Sequence, residues 1–215
     1  EYKGIYGTVG TPGTTPFGSS SKDATQARKL LLQQRAPKEN RYGVLNFDAE
    51  ANALDLAAFA DADKAGDVSA KMEGEIGRKY GINWYSDDHV SRHVTEAAGT
   101  PRVVASGSSG TTLVADGFST KPAVGDVFTI EDRSQQYVVK AATDLSGGES
   151  TLTIAPALDP GFAEDDDLNF LASHEVNLVF NRDAFAFANR PLVQSGSENG
   201  LGNQIMSMTD PETGL

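Results

Sequence analysis

Between Arg102 and Ala155 apolar and polar residues alternate in five short segments, 102–105, 111–115, 127–131, 136–141 and 151–155. A period of two sends successive side chains to opposite faces, so each segment reads as a half-buried β-strand. Leu152 and Ile154 set against Thr151 and Thr153 carry the pattern most plainly. The connections at 106–110, 121–126 and 144–150 are built from Gly, Ser, Pro and Asp, the residues of tight turns. Short strands at this spacing predict a small β-barrel or sandwich over residues 100–172.

The flanks follow helical spacing instead. Ala24, Ala27, Leu31 and Gln34 recur on one face, widened by Leu30, and predict a helix over 22–35. Ser21 or Asp23 can cap its start, and Pro37 ends it. Residues 42–47 read as a buried strand. Asp48 then opens an Ala-rich helix to about Lys64, with Ala51, Leu54 and Ala58 on one face. A third helix is expected over 67–81. It is capped by Asp67, carries Val68, Met72, Ile76 and Tyr80 at steps of four, and ends at Gly81. Gly74 and Gly77 inside it would each cost roughly 1 kcal/mol relative to Ala, which suggests close packing. Residues 175–180 read as one strand, and 183–189 as a short helix closed by Pro191. The Gly- and Pro-rich first twenty residues are expected to be irregular, with a short extended piece at 3–9. The expected class is α+β: core elements at 1–99 and 173–215, with a β-barrel domain inserted at 100–172.

Chemistry is sparse. Eighteen Lys and Arg stand against thirty Asp and Glu, for a formal charge of −12. That balance repels phosphate and argues against a dedicated nucleic-acid-binding domain, though not against a protein that encloses DNA. There is no cysteine, so disulfides and thiolate metal sites are excluded. The apolar stretch 54–60 is too short to cross a membrane, and no secretory leader is read at the start. His89 and His93 are four apart and would share one face of a helix, where they could chelate a metal. Asp87 and Asp88 give them a loop-like context, which favours a surface loop or a subunit contact. Glu164–Asp167 could offer oxygens to a hard cation, but it lacks the alternating ligands and central Gly of an EF-hand. It reads as a solvated turn, or as a contact for a basic surface on a neighbouring subunit. No GxSxG elbow, phosphate loop or dinucleotide fingerprint is present. The expectation is a protein without catalytic residues, cofactor or bound metal.

Two stretches resemble a known family. They are KMEGEIGRKYGINWYSDDHVSRH at 71–93 and NLVFNRDAFAFANRPL at 177–192. Both are similar to the corresponding parts of tailed-bacteriophage major capsid proteins that carry an inserted β-barrel, and the VGDVFTI and QYVVKA segments between them resemble that insertion. The resemblance covers roughly residues 22–195. It implies a Hong Kong 97-like core of axial and peripheral elements, here as a central fragment lacking the N-terminal arm and closing strands. It also implies self-association into pentamers and hexamers of an icosahedral shell in the virion. Assembly would take place in the host cytoplasm, with scaffolding and portal proteins as partners and DNA enclosed without sequence-specific contact. Interface candidates on this reading are Trp84, Tyr85, His89, His93, Asp165, Asp166, Arg182 and Arg190. The competing reading is a soluble β-rich binding or adhesion module that recognises a protein or a glycan. The helical half argues against that reading.

Overall fold

The computed structural model describes residues 2–60 and 76–186. The chain divides after Asn181 into two units; the described part of the second contains one 3-10 turn, Arg182–Ala184. The fold is mixed α+β and mostly β. The first unit has two hydrophobic clusters, one in a mixed core and one in a barrel-like sheet.

The mixed core begins with α1, Lys22–Gln33. Arg35 takes a positive φ of 60° just beyond it. The Ala36 amide returns to the Leu31 carbonyl at 2.9 Å and the Arg35 amide to Leu32 at 3.0 Å. This is a Schellman ending, and Pro37 directly after it bars the helix from continuing. Strand β1 is Arg41–Leu45. Asn46, not Asp48, caps the next helix, its side chain accepting from the Ala49 amide at 3.2 Å. Helix α2 runs Phe47–Asp55 and gives way at Leu56 to α3, Ala57–Ala60. Cap and break together turn the helix face: Ala49, Ala53 and Phe59 are buried, whereas Ala51 and Ala58 face solvent.

The expected helix over 67–81 is overturned where it can be seen, since 67–75 lie outside the described residues. Gly77–Lys79 is strand β2, antiparallel to β3, Ile82–Ser86. Tyr80 and Gly81 make the two-residue turn, with φ of 55° and 77°. Two positive φ values in a row are the requirement of a type I′ hairpin, and Gly81 meets it without strain. Strand β1 runs parallel to β3 and antiparallel to β12, Leu178–Asn181, giving a four-stranded sheet in the order β12-β1-β3-β2. Its inner face carries Leu45, Ile82 and Trp84 against Phe17, Phe59 and Ile76.

The second cluster lies inside a six-stranded antiparallel sheet of order β10-β7-β8-β9-β6-β5. The strands are β5 Ala98–Ser109, β6 Thr112–Thr120, β7 Val127–Ile130, β8 Gln136–Ala142, β9 Ser150–Ala155 and β10 Leu168–Phe170. The segment 106–110 is not the turn its composition suggests. Strand β5 continues through it by an irregular register, and the buried Ser108 hydroxyl donates to the Val104 carbonyl at 2.6 Å and accepts from the Val114 amide at 2.8 Å. A serine thus stands in for ladder bonds that the irregularity interrupts. The reversal itself falls at Gly110–Thr111.

Strand β5 and the run before β10 approach across the open side of the sheet. The Val103 amide donates to the Asp166 carbonyl at 2.9 Å, and the Asp165 amide to the Val103 carbonyl at 3.0 Å. The sheet is thereby nearly closed into a barrel around Leu113, Phe128, Tyr137, Val139 and Leu152. The chain enters through β4, Arg92–His93, and leaves through β11, His174–Glu175, which pair with each other. The single strand expected at 175–180 is therefore two, β11 and β12, serving different sheets. The short helix expected at 183–189 is a 3-10 turn at its start, and 187–189 lie outside the described residues. The N-terminal segment holds a 3-10 turn, Tyr2–Gly4, where an extended piece was expected.

Candidate functional site

The interface candidates fall into four places. Trp84 belongs to the core: it is 5% exposed and donates its indole N–H to the Lys79 carbonyl at 3.2 Å. It lies edge-on to Phe17 at 5.6 Å and covers Gly43 so closely that a Cβ there would collide with the indole ring. Tyr85 is the next residue on β3 and must point the other way. It is 57% exposed and stacks on Tyr42 of β1 at 6.2 Å. The pair WY therefore divides into one packing residue and one surface residue.

His89 and His93 do not share a helix face. His89 sits in an exposed turn, its backbone N–H donating to Asp87 Oδ1 at 2.7 Å and its Nδ1 lying 3.2 Å from the same oxygen. The hydrogen bond that His89 donates to the Asp87 carboxylate, and then the charge of Asp88, raise the His89 pKa. The backbone hydrogen bond from His89 in turn lowers that of Asp87. Ligand atoms of Asp87, Asp88 and His89 lie within 4.8 Å of one another, the one such group of three among the described residues, and all three residues are exposed.

His93 is buried at the neck of the barrel. Its Nε2 lies 2.8 Å from Asp126 Oδ1, and its ring is 5.6 Å from that of His174 across the β4–β11 pair. Asp126 Oδ2 accepts the amides of Ala123, Ala97 and Glu96 at 3.0, 3.2 and 3.3 Å. The carboxylate thus binds the strand that enters the barrel to the loop leading into β7. Beside it a cleft of about 740 Å³ is lined by the N-terminal segment, α1 and the neck, with Arg92, His93, His174 and Glu175 among its walls.

Asp165 and Asp166 lie on the barrel seam. The acidic run does more than make a solvated turn. Its backbone supplies the seam bonds, Glu164 accepts the Ala105 amide through its carboxylate at 2.6 Å, and Asp167 pairs with Arg102 at 3.0 Å. Asp165 holds a positive φ of 67°, a conformation that Asp tolerates better than most residues. Arg182 is exposed in its 3-10 turn, and Arg190 lies outside the described residues.

Sequence reasoning missed Arg41, which is 2% exposed on β1. Its Nε and Nη2 donate to the carbonyls of Pro37 and Ala36 at 2.6 and 2.8 Å. Desolvation, and then the charge of Arg28, lower its pKa. An Arg just past a helix end is ordinarily a surface residue; only the β1 alternation Arg41, Gly43, Leu45 points it inward.

The class these features define is a mostly-β α+β protein in which a nearly closed barrel interrupts a mixed core at a two-stranded neck. Among solved structures the chain is similar to one from Mycobacterium phage Che8, with 15% identity and a TM-score of 0.36 over 84% of this chain and 54% of that one. The chain spans about half the length of that structure. No family model and no curated protein matches it.

Proposed function

We propose that this chain is a structural subunit of a tailed-phage head shell, with a Hong Kong 97-like core that carries the six-stranded barrel as an insertion. It works by self-association and not by catalysis. The supporting observation is the topology. The chain leaves the core through β4 and returns through β11, its paired neighbour, and β12 then rejoins the sheet that β1 began. An insertion of this kind adds a module without disturbing the core around it, which is the arrangement the sequence resemblance implies. Modest contacts repeated over many copies would sum to a closed shell. The partners are further copies as pentamers and hexamers, scaffolding and portal proteins, and DNA held inside without reading of its sequence. The location is the virion, after assembly in the host cytoplasm.

Sedimentation velocity over a wide range of protein concentration tests this. Concentration-dependent growth beyond the monomer is expected. A chain that stays monomeric throughout, yet is retained on immobilised glycans, would overturn the proposal in favour of an adhesion module.

A further inference from the structure

The overall charge is negative, yet one stretch of the chain is cationic. Lys22, Arg28, Lys29, Arg35, Lys38 and Arg41 fall within twenty residues of α1 and its approach to β1, against Asp23 and Glu39 alone. The fold adds Arg78 from β2. Arg28 Nη1 donates to the Tyr80 carbonyl at 3.1 Å, which holds α1 against the β2–β3 turn. Here a cleft of about 310 Å³ is lined by Glu39, Asn40, Arg41, Arg78, Gly81 and Asn83. Arg41 is 2% exposed in its wall and spends Nε and Nη2 on backbone carbonyls. Among the described residues no carboxylate lies within ion-pair distance of Arg28, Arg41 or Arg78. Two guanidiniums, Arg41 and Arg78, line the cleft with one carboxylate, Glu39, and Arg28 stands beside it near Gly81; a buried cation without an anionic partner is costly.

The barrel is charged the opposite way. Glu131, Asp132 and the run Glu164–Asp167 gather at one rim, where the Glu131 amide donates to the Asp167 carbonyl at 2.9 Å. The cations there are already engaged: Arg102 with Asp167, and Arg133 with the carbonyls of Pro160 and Gly161. Asp132 and Asp165 are exposed at the tips of turns, with φ of 55° and 67°.

We propose that the Arg41–Arg78 cleft, with Arg28 beside it, receives the acidic barrel rim of a second copy of this chain. This rests on the shell-subunit reading and deepens it by naming the two surfaces. Planar guanidinium groups match carboxylates through paired hydrogen bonds. Cleft and rim are different surfaces, so each copy offers one of each, and the contact propagates from copy to copy instead of ending at a dimer. A carboxylate cluster suits the cleft better than a phosphodiester chain, which the charge of −12 repels at long range.

The test uses the full chain, with association measured by sedimentation velocity at low and high salt. Arg28→Glu with Arg78→Glu reverses the cleft and leaves buried Arg41 in place; Glu131→Lys with Glu164→Lys reverses the rim. Each double variant should associate roughly tenfold more weakly than the parent, and a one-to-one mixture of the two should recover the parent's association. The milder pair Asp132→Asn with Asp165→Asn keeps residues that accept positive φ, so its weakening cannot be ascribed to misfolding. Association unchanged by either reversal would overturn the cleft–rim contact and leave the shell-subunit reading standing. A parent that never associates would overturn both. Salt-sensitive binding of duplex DNA that is lost with Arg28→Glu and Arg78→Glu, without self-association, would give the cleft to nucleic acid.

Discussion

His93 Nε2 stands 2.8 Å from Asp126 Oδ1, and both side chains are shut off from solvent at the neck of the barrel. The other carboxylate oxygen collects three part-buried backbone amides, so this one side chain satisfies a buried histidine and three donors at once. Removing it should cost far more than a surface ion pair does. Asp126→Ala is expected to lower unfolding free energy by about 3 kcal/mol or more in urea titrations. Asp126→Asn keeps an acceptor and should lose less. A loss below about 1 kcal/mol for the alanine variant would mean that water takes over these bonds and that the neck is looser than its geometry.

Ile76 is 4% exposed and packs with Phe59, Ile82 and Trp84 just before β2. Its burial does not depend on the helix once expected there. Ile76→Ala should cost about 2–5 kcal/mol, the usual range for a buried aliphatic truncation, read from the shift of the unfolding midpoint. A cost under about 0.5 kcal/mol would place the side chain outside the core.

The barrel was legible in the sequence because a half-buried sheet forces alternation, and alternation survives reading one segment at a time. What misled was local chemistry shared by two structures. Val68, Met72, Ile76 and Tyr80 are spaced as on a helix, but Tyr80–Gly81 is also a hairpin turn, and the pairing of Lys79 with Ile82 belongs to the latter. The SGSSG segment has turn composition, yet Ser108 uses its hydroxyl to keep β5 going. Strand β10 went unread because its three residues follow four acids. The candidate surfaces were half legible: the acidic run stands out in the sequence, but the cleft that includes Arg41 and Arg78 forms only where the approach to β1 meets the distant β2–β3 hairpin.

His89 provides a direct reading of local electrostatics. Asp87 and Asp88 raise its pKa by favouring the imidazolium, so the contact is fully present below the ordinary histidine range and is lost as pH rises through the raised value. Asp87 is shifted the other way, and its share is lost as pH falls through its own lowered value. The turn is therefore best held between those two limits. NMR titration of the His89 ring should give a higher midpoint in the parent than in the Asp87→Asn, Asp88→Asn double variant. Equal midpoints would show that the carboxylates do not hold the imidazole in solution.

An ion pair and backbone bonds both hold the barrel seam, and their magnitudes rank them. The Arg102–Asp167 ion pair is 3.0 Å long, but its side chains are 50% and 49% exposed. Solvent screens such a pair and ordering the two chains costs entropy, so Arg102→Ala should change stability by less than about 1 kcal/mol. The backbone bonds between Val103 and residues 165–166 flank a valine that is 1% exposed, and water cannot easily replace them. In Arg102→Ala the Val103 and Asp165 amides should therefore remain protected from hydrogen exchange nearly as in the parent. If both amides instead exchange at the rate of open chain while the rest of the barrel stays protected, the ion pair, and not the backbone ladder, is what closes the seam.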